Sequence, residues 1–176
     1  MAILFGNDTK NDWLVGQGEN DILKGYGGND TLKGGLDNDT LHGMGGDDVL
    51  DGSDGQDTLS GGLGRDTFYG GPGADRFVWV GTEDTGLTTG TADLIDDFNL
   101  YEGDRIDLRS IDANVYAPGD QTFSFIGTAP FSGAPGEINY FHWSGDTIIQ
   151  LQAGTSMPVM ICLDGIVTPE ASWFVL

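Results

Sequence analysis

The sequence predicts an all-β chain: a parallel β-roll, built as a nonapeptide-repeat solenoid, capped by an antiparallel β-sandwich. Three observations carry this. Eight nine-residue units run in one register from Asn7 to Val78, each with Asp at its sixth position. Two residues after every Asp stands one large apolar side chain: Leu14, Leu23, Leu32, Leu41, Leu50, Leu59, Phe68 and Phe77. Beyond residue 78 the glycines thin out and alternating apolar strands take over.

The first six residues of each unit read as a turn, because glycine there permits positive φ and close approach of the backbone. The clearest units are Gly25–Lys33, Gly43–Asp51 and Gly61–Tyr69. The last three residues read as a short strand whose middle side chain points inward. Two units make one coil of 18 residues, so eight units make four coils. Units n and n+2 then stack on one side at the strand spacing of about 4.8 Å.

That stacking brings aspartates 18 residues apart together: Asp30 with Asp48, Asp39 with Asp57, Asp48 with Asp66, Asp57 with Asp75. Two bare carboxylates about 5 Å apart repel by roughly 3 kcal/mol at an effective dielectric near 20. A hard divalent cation between the turns reverses the sign. Calcium suits the gap best, because it accepts six to eight oxygens in flexible geometry, whereas magnesium demands a tighter octahedron. There is no His or Cys set for zinc.

The expected side-chain ligands are Asp12, Asp21, Asp30, Asp39, Asp48, Asp57, Asp66 and Asp75. Expected backbone carbonyl ligands are those of Gly25, Gly27, Gly28, Gly34, Leu36, Asp37, Gly43, Gly45, Gly46, Gly52, Asp54, Gly55, Gly64 and Gly73. Four turns a side leave three gaps a side, hence about six Ca2+ ions. The first units are poor copies, with Lys10 and Glu19 at the fourth position, so the N-terminal gaps are expected to bind weakly.

The second half divides into strands expected at 76–80, 94–98, 105–108, 122–126, 137–143, 147–152, 159–163 and 172–176, with Gly, Pro and Asp at the breaks. Residues 1–78 are thus expected to form the roll and 79–176 the sandwich. Phe77, Val78 and Trp79 cross the joint. A cap is physically required, since the end of a solenoid exposes core and unpaired edge. Asp93, Asp96, Asp97 and Asp104 read as turn caps or as a further calcium site.

Composition narrows the partners. Seven Lys and Arg face 28 Asp and Glu, for a formal charge of −21. Phosphate recognition needs a basic surface, so nucleic acid is excluded as a partner, and so are anionic membranes. No apolar run approaches the roughly 20 residues of a spanning helix, and residues 1–10 lack the pattern of an N-terminal secretory signal. Cys162 is the only cysteine, so no intrachain disulfide forms, and it reads as a packing residue. His42 and Lys33 are expected to face solvent.

No catalytic set is legible. The two histidines, His42 and His142, lie far apart without an H-E-x-x-H motif, and no G-x-S-x-G elbow occurs. The chain is expected not to be an enzyme, and any catalysis would lie in another domain.

The repeat G-G-x-G-x-D-x-U-x resembles that of RTX calcium-binding (hemolysin-type) proteins. Further motifs are similar to the C-terminal domain of serralysin-type secreted metalloproteases. They are Gly73–Val78, Thr91–Phe98, Gly103–Leu108, 119–127 and Gly136–Tyr140. The resemblance implies a calcium β-roll plus sandwich, secreted to the extracellular space by type I secretion machinery and covalently attached to a passenger. It also implies an uncleaved C-terminal signal. Glu170–Leu176 looks like such an ending, with Trp173 where Asp is common. A different expectation is a carbohydrate-binding module resembling the repeats of alginate epimerases, with Tyr26, Tyr69 and Trp143 stacking on sugars.

Eight inward side chains make too thin a core to order 72 backbone residues, so metal binding and folding are expected to be one event. In excess chelator at neutral pH, residues 7–78 are therefore disordered. Circular dichroism checks this, and a β-rich spectrum without calcium contradicts it.

Overall fold

The computed structural model describes residues 1–114, 121–154 and 158–176. Gly119 and Asp120 of the motifs above, and Met157 beside the Cys162 strand, lie outside the described residues. The repeat segment forms β2 (Trp13–Val15), β3 (Ile22–Gly27), β4 (Thr31–Leu36), β5 (Thr40–Gly45), β6 (Val49–Asp54), β7 (Thr58–Leu63), β8 (Thr67–Tyr69) and β9 (Arg76–Val78), preceded by β1 (Ile3–Phe5). The second half adds β10 (Asp93–Ile95), β11 (Arg105–Asp107), β12 (Ser124–Phe125), β13 (Glu137–Trp143), β14 (Asp146–Gln152), β15 (Val159–Leu163) and β16 (Phe174–Val175).

Alternate units go to opposite sheets, as the 18-residue coil requires. One sheet has the order β1-β3-β5-β7-β9-β11-β16; the other runs β12-β13-β14-β15-β10-β8-β6-β4-β2. In the first, Leu4, Leu23, Leu41, Leu59, Phe77, Ile106 and Phe174 stand in one row. In the second, Leu14, Leu32, Leu50, Phe68, Ile95 and Leu163 do the same. The rows face each other and form the core. From Leu23 to Phe77 every inward side chain is fully buried, whereas Leu4 and Leu14 at the start are only partly covered.

Three features differ from the expectation. The middle strands β3–β7 are six residues long, because the ladder runs on through the first three turn positions. An additional strand, β1, extends the roll one step before the first counted unit. Most importantly, both parallel sheets continue past residue 78. β10 adds to β8, and β11 adds to β9, both in parallel. Among the strands of the described residues antiparallel pairing is confined to β13-β14-β15, with one isolated antiparallel bridge between Gly86 and Met160, and β15 itself joins β10 in parallel.

The physical reason is that Asp93-Leu94-Ile95 and Asp104-Arg105-Ile106 repeat the Asp-x-apolar triplet of the nonapeptides at stretched spacing. Their backbones follow the same ladder, and Ile95 and Ile106 fill the inward position. The aromatic joint is Phe68 with Phe77 and Trp79, ring centroids 5.9 and 5.6 Å apart, and Phe77 with Phe98 at 6.1 Å. β13 and β14 close through Ser144-Gly145, both at positive φ, the two-residue hairpin turn whose twist matches its strands.

Phe68 is the hub of that joint. Phe68→Ala is expected to cost about 3–5 kcal/mol of stability, while Trp13→Ala on the exposed face of β2 changes it by less than about 0.5 kcal/mol. Urea unfolding of the calcium-loaded chain measures both.

Candidate metal centre

The turn aspartates are tied into two ladders. The backbone N–H of Asp12 donates to Oδ1 of Asp30 at 2.8 Å, Asp30 donates to Asp48 at 2.7 Å, and Asp48 to Asp66 at 2.9 Å. On the other side Asp21 donates to Asp39 and Asp39 to Asp57, both at 2.7 Å, and Asp57 donates to Asp75 at 2.8 Å. Each step spans one coil of 18 residues. One carboxylate oxygen of each of Asp30, Asp39, Asp48, Asp57, Asp66 and Asp75 is therefore spent holding the preceding coil.

The other oxygen is not. Oδ2 of Asp30, Asp39, Asp48, Asp57, Asp66 and Asp75 is buried without any hydrogen-bond partner. Leaving one such acceptor unpaired costs about 1–3 kcal/mol, more when it is charged. Six in register demand a counter-ligand that protein does not provide.

The ladder ends behave differently. Asp12 is partly exposed, and its oxygens accept from the side-chain amide and backbone N–H of Asn7. Asp21 accepts from the N–H groups of Ala2 and Gln17. At the far end Asp93 takes the N–H of Asp66 on Oδ1 at 2.9 Å and the indole N–H of Trp79 on Oδ2 at 2.7 Å. Asp104 takes the N–H of Asp75 and that of Asn99. Asp97 accepts from Gly70 and Gly71. Of the second-half aspartates, these three act as turn and ladder caps. Sequence reasoning missed Trp79 and Asn99 as closing donors, although the Asp-x-apolar triplets at 93 and 104 were the available signal.

Carbonyl oxygens converge on the unpaired carboxylates. A Cβ added to Gly25 would lie 2.9 Å from the carbonyl oxygen of Gly43 and press against Asp30 Oδ2. The same construction on Gly34, Gly43 and Gly52 meets the carbonyls of Gly52, Gly61 and Gly70 at 2.7 Å, together with Oδ2 of Asp39, Asp48 and Asp57. At the fourth position the glycines Gly46, Gly64 and Gly73 sit against the carbonyls of Gly28, Gly46 and Gly55, and Gly55 against that of Asp37. The Gly45 carbonyl accepts the N–H of Gly28 at 3.0 Å. Gly27, Leu36 and Asp54 lie in the same turns, at the third position. Left-handed backbone recurs at positions two and four. Tyr26, Met44 and Ser53 adopt it at position two, and Glu19 and Asp37 at position four.

Among the described residues no group of three or more His, Cys, Asp and Glu side chains gathers in one place. The oxygen set is thus paired carboxylates plus backbone carbonyls, which suits a hard cation of high coordination number such as calcium.

Burial, above all, drives the carboxyls up: Asp57 to about 6, Asp48 and Asp75 to about 7, Asp66 to about 8. Asp30 and Asp39 rise as well. Asp21 moves down, because Ala2 and Gln17 donate to it. A folded roll without metal therefore holds protons that the unfolded chain has released. That contribution to stability is fully present at acid pH and is lost as pH rises through about 6 to 8.

The remaining candidates lie elsewhere. His42 is half-buried on the outer face of β5 rather than open to solvent, and burial lowers its pKa. His142 on β13 bonds Thr147 through Nδ1 at 3.1 Å. Lys33 pairs with Asp51. Cys162 is buried, and its thiol is pushed up to about 11. Trp143 is 60% exposed, and Tyr26 and Tyr69 are half-buried.

Fold and site together define a parallel solenoid with oxygen-lined gaps between its turns. The description "RTX calcium-binding nonapeptide repeat (4 copies)" matches residues 7–41 and again 42–77. Residues 7–77 are thus similar to RTX calcium-binding repeats. No curated protein matches the chain. Among solved structures it is similar to the AlgE6R3 subunit of the Azotobacter vinelandii mannuronan C5-epimerase, with TM-score 0.61 and 23% identity over 96% of this chain and 80% of that one. It is also similar to the AlgE6R2 subunit of the same enzyme, with TM-score 0.52 and 22% identity over 93% and 91%. At these identities the likeness concerns the fold.

Protons and calcium compete for the same oxygens. The apparent calcium affinity is therefore expected to fall at least tenfold from pH 8 to pH 5, and chelator-treated chain to gain β signal over the same interval. Calcium titrations and circular dichroism at several pH values test both directions.

Proposed function

We propose that the chain is a non-catalytic calcium-binding module that folds when it meets extracellular Ca2+ and thereby supports the export and folding of a secreted protein. The observation that carries this is the row of six buried, partnerless Oδ2 atoms, three on each side of the roll. The number matches the three gaps a side expected from four stacked coils, so about six ions are assigned.

In this reading Asp30, Asp39, Asp48, Asp57, Asp66 and Asp75 supply the principal carboxylates. The first-position carbonyls of Gly25, Gly34, Gly43 and Gly52 join them, with those of Gly28, Asp37, Gly46 and Gly55 at the fourth position. Gly27, Leu36, Gly45, Asp54, Gly64 and Gly73 complete the sets. Asp12 and Asp21 contribute least, because their oxygens already accept protein N–H groups. Calcium supplies charge neutralisation between coils; the chain supplies the spacing, the carbonyls and the amide ladder that orients each carboxylate.

Extracellular calcium modules bind at roughly 10⁻⁴–10⁻³ M. Sites of that strength stay empty at cytosolic calcium levels, so the chain remains extended for export through type I machinery and folds outside. A covalently attached passenger would gain a folded neighbour only after export.

Calorimetry with Ca2+, read beside circular dichroism, tests the assignment. About six ions per chain are expected, entering together with the gain of β structure. Asp48→Asn should remove binding in its neighbourhood and weaken affinity at least tenfold, whereas Asp12→Asn should change it less than threefold. Binding without folding, or equal effects of the two substitutions, contradicts the reading.

A further inference from the structure

The outer face of the first sheet carries a cleft of about 420 Å³. Its floor is β7, where Ser60 and Gly62 are small. Bulkier residues rise on each side. His42 and Met44 of β5 stand opposite Ser60 and Gly62 in register. Beyond β7 come Val78 and Val80, and the turn at Thr82–Asp84 lies against β7. Lys24 of β3, opposite His42, closes the near end. Lys24, His42 and Ser60 come from three successive coils, so the cleft exists only while those coils are stacked.

The polar groups around it are uncommitted. No hydrogen bond or ion pair joins the Lys24 ammonium, the His42 ring or the Ser60 hydroxyl to any described residue. Asp84 is only 6% exposed. Its Oδ2 accepts the N–H groups of Val80 and Gly81, both at 3.1 Å, and no described residue donates to Oδ1. Arg76, one row away on the same face, is engaged by Asp107 at 3.6 Å. Between the charged ends lie Met44, Val78 and Val80. Lys24 on β3 stands two strand steps from β7, which places the two charges on the order of 10 Å apart.

A simple anion suits Lys24 but meets the carboxylate of Asp84 and a chain of formal charge −21. A simple cation suits Asp84 but is opposed by the ammonium of Lys24. A ligand with one charge of each sign and an apolar middle satisfies both ends. We propose that the cleft binds short zwitterionic peptides of about three residues, the extended length that spans roughly 10 Å, with the carboxylate at Lys24 and the amino group at Asp84. The His42 ring and the Ser60 hydroxyl meet the peptide's amide groups, and Met44, Val78 and Val80 pack on its central side chain. Such a site is concave and mostly apolar, with a few polar groups that fix orientation. Because it crosses three coils, it is open to ligand only in the calcium-loaded roll; this gating rests on the metal assignment above.

Proton NMR of the whole chain tests this, with circular dichroism on the same samples. His42 and His142 are the two histidines, and His142, on β13, lies outside the cleft. The peptide Ala-Leu-Ala with free ends, added in calcium up to on the order of 10 mM, should shift the imidazole signals of His42 and leave those of His142 in place. Blocking either end, by N-acetylation or C-terminal amidation, should weaken binding roughly tenfold or more. In Lys24→Gln, outside the proposed calcium sets, the free acid and the amide should bind alike while acetylation still weakens binding and the β signal is unchanged. Folded protein whose His42 signals ignore the peptide overturns the proposal, as do equal affinities of the wild type for free and blocked peptides. If the chain stays unfolded in calcium, the metal assignment falls and the cleft with it.

Discussion

The structure depends on one unsatisfied bond. Each of Asp30, Asp39, Asp48, Asp57, Asp66 and Asp75 gives one carboxylate oxygen to the backbone N–H one coil away and keeps the other buried without a donor. The first oxygen fixes the spacing of the coils. The second makes that spacing untenable while it is charged and alone, because burial penalises a bare carboxylate and its neighbour along the ladder repels it. Only a proton or a cation resolves the conflict.

How the ladders stop follows from the same bond. Toward the C-terminus, Asp93 and Asp104 occupy the next rung but close their second oxygen on Trp79 and Asn99. Toward the N-terminus, Asn7, Ala2 and Gln17 satisfy Asp12 and Asp21. The stretch of partnerless carboxylate oxygens is thereby bounded on both sides by protein donors. The C-terminal boundary is the better built: it lies against the aromatic joint of Phe68, Phe77 and Trp79, whereas the N-terminal coil leaves Leu4 and Leu14 half covered. Order in the roll is accordingly anchored at the cap and weakest at the first coil.

Much of this was legible in the sequence because the repeat obeys one rule without exception: Asp, then an apolar residue two places on. The coil length, the pairing of units n and n+2 and the buried leucines all follow from that rule. The second-half strands were legible from alternation, but their pairing was not. Asp93-Leu94-Ile95 and Asp104-Arg105-Ile106 carry the same triplet, yet stand 27 and 29 residues beyond the aspartates whose N–H groups they accept. A fixed period of nine cannot detect them. Neither could sequence reveal that one oxygen per carboxylate is taken by an amide, since this depends on turn geometry, nor that the indole of Trp79 closes a ladder 14 residues away. His42 was misjudged for a related reason: its outward position is partly covered from outside.

The most direct test of the central claim is a crystal structure grown in abundant calcium, or in a lanthanide substitute, with anomalous scattering used to place the ions. The account predicts peaks between successive coils, each within bonding distance of Oδ2 of one of Asp30, Asp39, Asp48, Asp57, Asp66 and Asp75 and of turn carbonyls. Folded coils whose Oδ2 atoms face no metal would contradict it.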